Sequence, residues 1–152
     1  MIYDFITPTK KLEEEALNIQ SFLETEMETS GEHMQLHGDE IEMRGNQISV
    51  YLARTGAMLS DAKLHLNERL RSDILKQLLS EMEGTYLSAS VQKEFIRSAC
   101  TYETWLVDFI GRLNATATHQ LDWYRSLLSK YKEELNASRG VSGNNNRNQS
   151  NY

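Results

Sequence analysis

The stretch VQKEFIRSACTYETWLVDFIGRLNATATHQLDWYRSLLSKYKEEL, Val91 to Leu135, decides the fold. Its apolar residues Val91, Phe95, Ala99, Tyr102, Leu106, Phe109, Leu113, Ala117, Leu121, Tyr124, Leu128, Tyr131 and Leu135 are spaced by threes and fours. At about 100° per residue they share one sector of roughly 120°. Neither Pro nor a loop cluster interrupts them, and the pattern predicts a single rod of about 65 Å at 1.5 Å per residue. A rod that long outruns any small globular core, so it has to lie against a second long helix or another copy of itself.

Upstream, a second long pattern runs from Ile41 through Ile48, Leu52, Thr55, Leu59, Ala62, Leu66 and Leu70. Gly45 and Gly56 sit inside it, each costing up to ~1 kcal/mol relative to Ala. Close approach of a neighbouring helix is favoured over flexibility as their explanation. Beyond Leu70 the stripe changes phase, since Ile74, Leu75, Leu78, Leu79 and Met82 point more than about 100° away. A bend or break is expected at Arg71 to Asp73, with Ser72-Asp73 capping a new helix and Gly84-Thr85 ending it. Ser88 then opens the long final helix.

The chain begins differently. Thr7-Pro8 reads as a hydroxyl cap followed by Pro in the first turn, and Leu12, Ala16, Ile19, Leu23 and Met27 form a narrow apolar edge that stops at Ser30-Gly31. Such a helix is expected to rest on a scaffold by one edge with its acids in water. After Leu135 the composition collapses to ASRGVSGNNNRNQSNY, which offers almost nothing apolar to bury and predicts a disordered tail over 137–152. The expected architecture is all-α: an elongated helical hairpin or bundle built on the C-terminal helix, with an acidic N-terminal helix. Residues 1–136 form a single domain with helices near 8–29, 40–70, 73–83 and 89–135.

With 152 residues, one Pro, eight Gly and 39% hydrophobic residues, there is room for one elongated core and little to break helices. The single Cys100 excludes an internal disulfide. With no basic-then-apolar leader, the expected compartment is a reducing cytoplasm. No run approaches the ~18 apolar residues of a membrane span. The net charge of −6 hides an asymmetry: residues 1–40 carry ten acids against Lys10 and Lys11, whereas the remainder holds fourteen basic and twelve acidic residues.

Five constellations bear on function. Glu32-His33-Met34-Gln35-Leu36-His37-Gly38-Asp39-Glu40 offers His33 and His37 at i and i+4, with Glu40 near, as weak metal ligands. It is not His-Glu-x-x-His, and a solvated turn is the favoured reading, so no cofactor is expected. Asp108, Arg112, His119 and Asp122 share the polar side of the final helix. A carboxylate-oriented imidazole is geometrically open to them, yet no nucleophile stands beside them, and a solvated face with a local Asp108–Arg112 pair is favoured. All-α nucleotide pyrophosphatases require a Glu-x-x-Asp turn that this chain lacks. No catalytic residue is therefore assigned, and a metal-dependent enzyme is the weaker alternative.

Interaction residues are better marked. Trp105 and Trp123, five turns apart on one side, border the apolar stripe, and Tyr51 and Met58 widen the face of the second pattern. More apolar girdle than one antiparallel contact consumes argues for self-association. Arg44, Arg54, Lys63, Arg69, Arg71, Lys76, Lys93, Arg97, Arg112, Arg125, Lys130 and Lys132 are dispersed among acids, which makes direct DNA binding the less favoured reading. The acidic first helix, with Glu13, Glu14, Glu15, Glu24, Glu26 and Glu28, has two alternative roles: covering a DNA-binding surface, or imitating DNA phosphates toward a host defence protein.

The segments YLARTGAMLSDAKLHLNERL (51–70) and TWLVDFIGRLNATATHQLDWYRSLLSKYKEEL (104–135) resemble short helical proteins of tailed bacteriophages and prophages of Bacteroidetes. The resemblance covers about half of the chain and includes no catalytic motif. It implies a place among replication, recombination or host-takeover genes, and the host cytoplasm as compartment. The expected partners are a second copy of the chain and a further protein.

Overall fold

The computed structural model describes residues 6–25, 38–72, 76–77, 80 and 88–145. Four helices carry most of these residues, and none of the described residues is in a strand: α1 (Thr9–Glu24), α2 (Gly38–Leu70), α3 (Ala89–Ala99) and α4 (Thr101–Asn145). The chain is all-α, and the long C-terminal helix packs against the others.

Helices α2 and α4 form an antiparallel hairpin. Gly38 faces Tyr131, Gly45 faces Tyr124, and Leu59 faces Gly111. Asn114 meets Leu52 and Thr55. Helix α1 lies along one side of this hairpin, antiparallel to α2 and parallel to α4. Thr7 just before it, Glu15 within it and Thr25 just after it meet Asp61, Arg54 and Arg44 in turn, while Glu13 and Leu23 meet Tyr102 and Gln120.

The core follows from the stripes. Leu12, Ala16, Ile19 and Leu23 of α1 pack with Ile41, Ile48, Met58 and Ala62 of α2 and with Leu106, Ile110, Leu113, Ala117 and Leu121 of α4. One polar layer crosses it. The Thr55 hydroxyl, fully buried, donates to the Leu52 carbonyl at 3.0 Å and accepts from Asn114 Nδ2 at 2.9 Å. The same Asn114 amide donates to the Leu52 carbonyl at 3.2 Å. A slip of α4 along α2 would strand these groups, each costing ~1–3 kcal/mol when buried unpaired, so the layer fixes register.

The rod expected from Val91 to Leu135 is not continuous. A turn at Cys100 separates α3 from α4, and the reason lies in α2. Facing partners along the hairpin recede one for one from Gly38–Tyr131 to Leu59–Gly111, which sets Leu70, the last residue of α2, opposite Ala99. The stripe therefore loses its partner where the helix breaks. The turn is also locally supported: the Thr101 hydroxyl donates to the Ser98 carbonyl at 2.7 Å. Arg97 reaches Asp108 at 3.8 Å, whereas eleven residues of straight helix would separate them by about 16 Å along the axis. The chain thus folds toward the polar side of α4.

Other boundaries sharpen the reading. Pro8, not Thr7, is the cap residue of α1 and supplies no side-chain cap. Thr7 instead donates its N–H to Asp61 at 3.2 Å, and its carbonyl bonds His65 Nε2 at 2.8 Å. Helix α1 ends at Glu24, short of the expected 29, and the Ser30-Gly31 stop lies outside the described residues. Helix α2 ends at Leu70 with a turn and bend at Arg71 and Ser72. Of the helix expected over 73–83, only residues 76–77 and 80 are described, and these are helical. The Ser88 hydroxyl accepts the Val91 N–H at 3.4 Å, opening α3 as expected.

Helix α4 continues past Leu135 to Asn145, exposed over 135–139 and with the Ser138 hydroxyl bonded back to the Leu135 carbonyl at 2.8 Å. The nearest part of the expected tail is thus helix, with no Pro to stop it. The remainder, 146–152, lies outside the described residues. Among the described residues no helix is long and apolar enough to cross a membrane.

Candidate interaction surfaces

The acids of α1 are more engaged than a solvated edge. Arg54 of α2 grips Glu15 with both ends of its fork, Nε to Oε1 at 2.5 Å and Nη2 to Oε2 at 2.7 Å. The bonds from Arg54 hold the Glu15 carboxyl below the usual carboxylate range despite partial burial, and the same bonds raise Arg54. Glu13 accepts the Tyr102 hydroxyl at 2.7 Å. Burial first and then this carboxylate push the Tyr102 hydroxyl up. Glu24 accepts from Gln20 at 2.7 Å. Glu14 alone among the described acids of α1 has no such contact, and Glu26 and Glu28 lie outside the described residues.

Arg44 closes the other end of α1. Its Nη2 donates to the Phe22 and Thr25 carbonyls at 2.6 and 2.9 Å, and the guanidinium lies 3.6 Å over the Phe22 ring, a cation–π contact added to a helix C-terminus. Its Nε is buried without a hydrogen-bond partner. Gln120 of α4 donates to the Leu23 carbonyl at 2.9 Å. Two of the basic residues weighed for DNA, Arg44 and Arg54, are thus taken up by α1.

The proposed interaction residues divide. Met58 is fully buried, and Tyr51 packs its ring 4.6 Å from Phe22. Met58 therefore offers no surface to a partner, while Tyr51 stays partly exposed beside Phe22 of α1. Trp105 and Trp123 remain 37% and 53% exposed. Trp105 continues a ladder of rings, 5.9 Å from Tyr102 and 5.2 Å from Phe109, while Trp123 stands edge-on to Tyr124 at 4.9 Å. Below the ladder an open groove of about 340 Å³ runs between α1 and α4, lined by Gln20, Leu23, Phe109, Arg112, Thr116 and Gln120 among others. It can shelter an apolar side chain beside hydrogen-bonding groups.

The polar side of α4 does not assemble as a site. Asp108 pairs with Arg97 and not with Arg112, because the bend at Cys100 brings α3 over it. Asp122 pairs with Arg125 at 3.2 Å and not with His119, which is exposed. The arrangement holds no oriented imidazole. Cys100 is buried, and burial pushes its thiol up, the opposite of an activated nucleophile. Among the described residues no group of three His, Cys, Asp or Glu is placed to share a metal ion. His33 and His37 lie outside the described residues, and Glu40 is half-buried in the first turn of α2.

Pattern reading missed the Arg54–Glu15 and Arg44–Phe22 contacts because their partners lie 39 and 22 residues apart. The available signal was the meeting of an acidic edge with two arginines ten residues apart on α2. No protein-family model, curated protein or solved structure matches this chain.

Proposed function

We propose that the chain is a non-catalytic helical protein that works by protein–protein interaction, self-associates through its long helices, and serves phage replication, recombination or host takeover. The observation that carries this reading is the apolar surface left after α1 has docked. Met43, Val50 and Leu64 on α2 and Trp105 and Trp123 on α4 are exposed, on helices too long for the core they share. Surplus apolar edge of this kind marks binding surfaces. Sedimentation equilibrium over the micromolar range tests it: a dimer or higher oligomer is expected, and a monomer throughout contradicts it.

A second reading, a DNA-binding accessory of recombination covered by α1, has one observation in its favour. Undocking α1 would release Arg44 and Arg54 together, and these two give residues 41–152 their excess of fourteen basic over twelve acidic residues. Deleting residues 1–31 should then strengthen DNA retention in a gel shift at low salt. Unchanged retention discards it. A phosphate-imitating α1 is less supported, since Glu13 and Glu15 are already bonded within the chain.

A further inference from the structure

The outer face of α2, turned away from both α1 and the α4 contact, carries a seven-residue repeat. Met43, Val50, Ala57 and Leu64 recur at that spacing, with Ala53 between, and all five are exposed. Met43 and Val50 are 60% and 66% exposed. A strict seven-residue apolar repeat is the seam of a left-handed coiled coil, and none of the described residues covers it.

The residues flanking the seam say what does. Glu42 and Lys63 lie on one flank, both exposed and neither with an ion-pair partner among the described residues. They are equidistant from the midpoint between Leu52 and Ala53. A second α2 laid antiparallel about that midpoint sets Glu42 against Lys63 at both ends. A parallel copy would set this flank against the opposite one, so that Glu42 and Lys63 would not meet. The same two-fold operation sets Ser49 opposite Gly56, two small residues on the same flank. Gly56 is unexplained by the α2–α4 contact, because a Cβ there would meet only Asn114 Nδ2 at 3.9 Å.

We infer that the outer face of α2 binds a second copy of this chain as a two-fold antiparallel coiled coil, centred at Leu52–Ala53 and registered by reciprocal Glu42–Lys63 pairs. This rests on the self-association proposed above and names the face that carries it. A seam of three repeats with Asn46 and Ser60 among its inward positions is short, and the dimer is accordingly a reversible one.

Sedimentation equilibrium on the full chain and on Glu42→Lys, Lys63→Glu and the double variant tests it, with circular dichroism reporting that each stays helical. Each single variant should weaken dimerisation by about tenfold, since two attractive pairs become repulsive, and the double variant should restore it. In parallel, Ala53→Cys should oxidise to a disulfide-linked dimer, while Ser21→Cys on α1 and the parent chain, whose Cys100 is buried, should not. Single variants that dimerise like the parent, with no Ala53→Cys cross-link, overturn the inference and move self-association to another face. A parent that stays monomeric overturns both this and the reading it rests on, and leaves the seam to a different protein.

Discussion

Helices α3 and α4 continue one apolar phase, yet they meet different fates. In α4, Leu106, Ile110 and Ala117 are fully buried between α2 and α1, whereas Val91 of α3 is 47% exposed. Composition does not separate them. What separates them is the length of the opposite helix, because α2 ends at Leu70 and takes its apolar surface with it. An apolar stripe specifies a face, and only a partner of matching length turns that face into a core.

The sharpest way to break the comparison is to truncate one residue on each side of Cys100. Ile110→Ala should lower stability by about 2–5 kcal/mol, the range for emptying a closed core site, whereas Val91→Ala should change it by less than ~0.5 kcal/mol. Urea midpoints at constant slope read both. Equal losses would mean that α3 has a buried partner.

Next in size is the polar layer that registers α4 on α2. Asn114→Ala removes the donor to the Leu52 carbonyl and the Thr55 hydroxyl and should cost about 1–3 kcal/mol. Thermal unfolding checks it, and a neutral result would show that water replaces the amide.

A smaller effect belongs to the clasp of α1. The hydrogen bonds from Arg54 hold the folded Glu15 carboxyl below its ordinary value, so its contribution is present above the ordinary carboxylate range and is lost as pH falls through the lower folded value. Both partners are about a third exposed, which screens the pair to roughly 1 kcal/mol or less. Glu15→Gln should flatten the stability profile below the ordinary carboxylate range, as read by denaturation at stepped pH.

Smallest is Gly45→Ala, where the new Cβ meets only Tyr124 Cβ at 3.8 Å. Helix propensity should raise the urea midpoint by the equivalent of about 0.5–1 kcal/mol. Gly38 is the contrast. A Cβ there would enter the Tyr131 ring, so close approach explains that glycine and does not explain Gly45 or Gly56.

The long helices are legible in the amino-acid pattern because each carries its own evidence: a sustained stripe, a phase change after Leu70, and Ser88 at the next start. The break at Cys100 is not legible, since no Pro or Gly announces it and its cause is the register of α2. The candidate surface is legible in part. Trp105 and Trp123 sit at the stripe border and are exposed, but Met58 and Tyr51 sit at a border of the same kind, and there Met58 is fully buried and Tyr51 packs on Phe22 of α1. Local periodicity carries no information on which border a third helix will take. For the same reason Glu13 and Glu15 read as solvated until Tyr102 and Arg54 are brought beside them.

Amide hydrogen exchange on the intact chain tests most directly whether the partner, and not the pattern, makes the core. Amides of α4 from Leu106 to Tyr124 should open only with global unfolding, and those of α3 from Gln92 to Ala99 should exchange by local fraying at much lower free energy. Equal protection on both sides of Cys100 would contradict the account, because α3 would then be as fully partnered as α4.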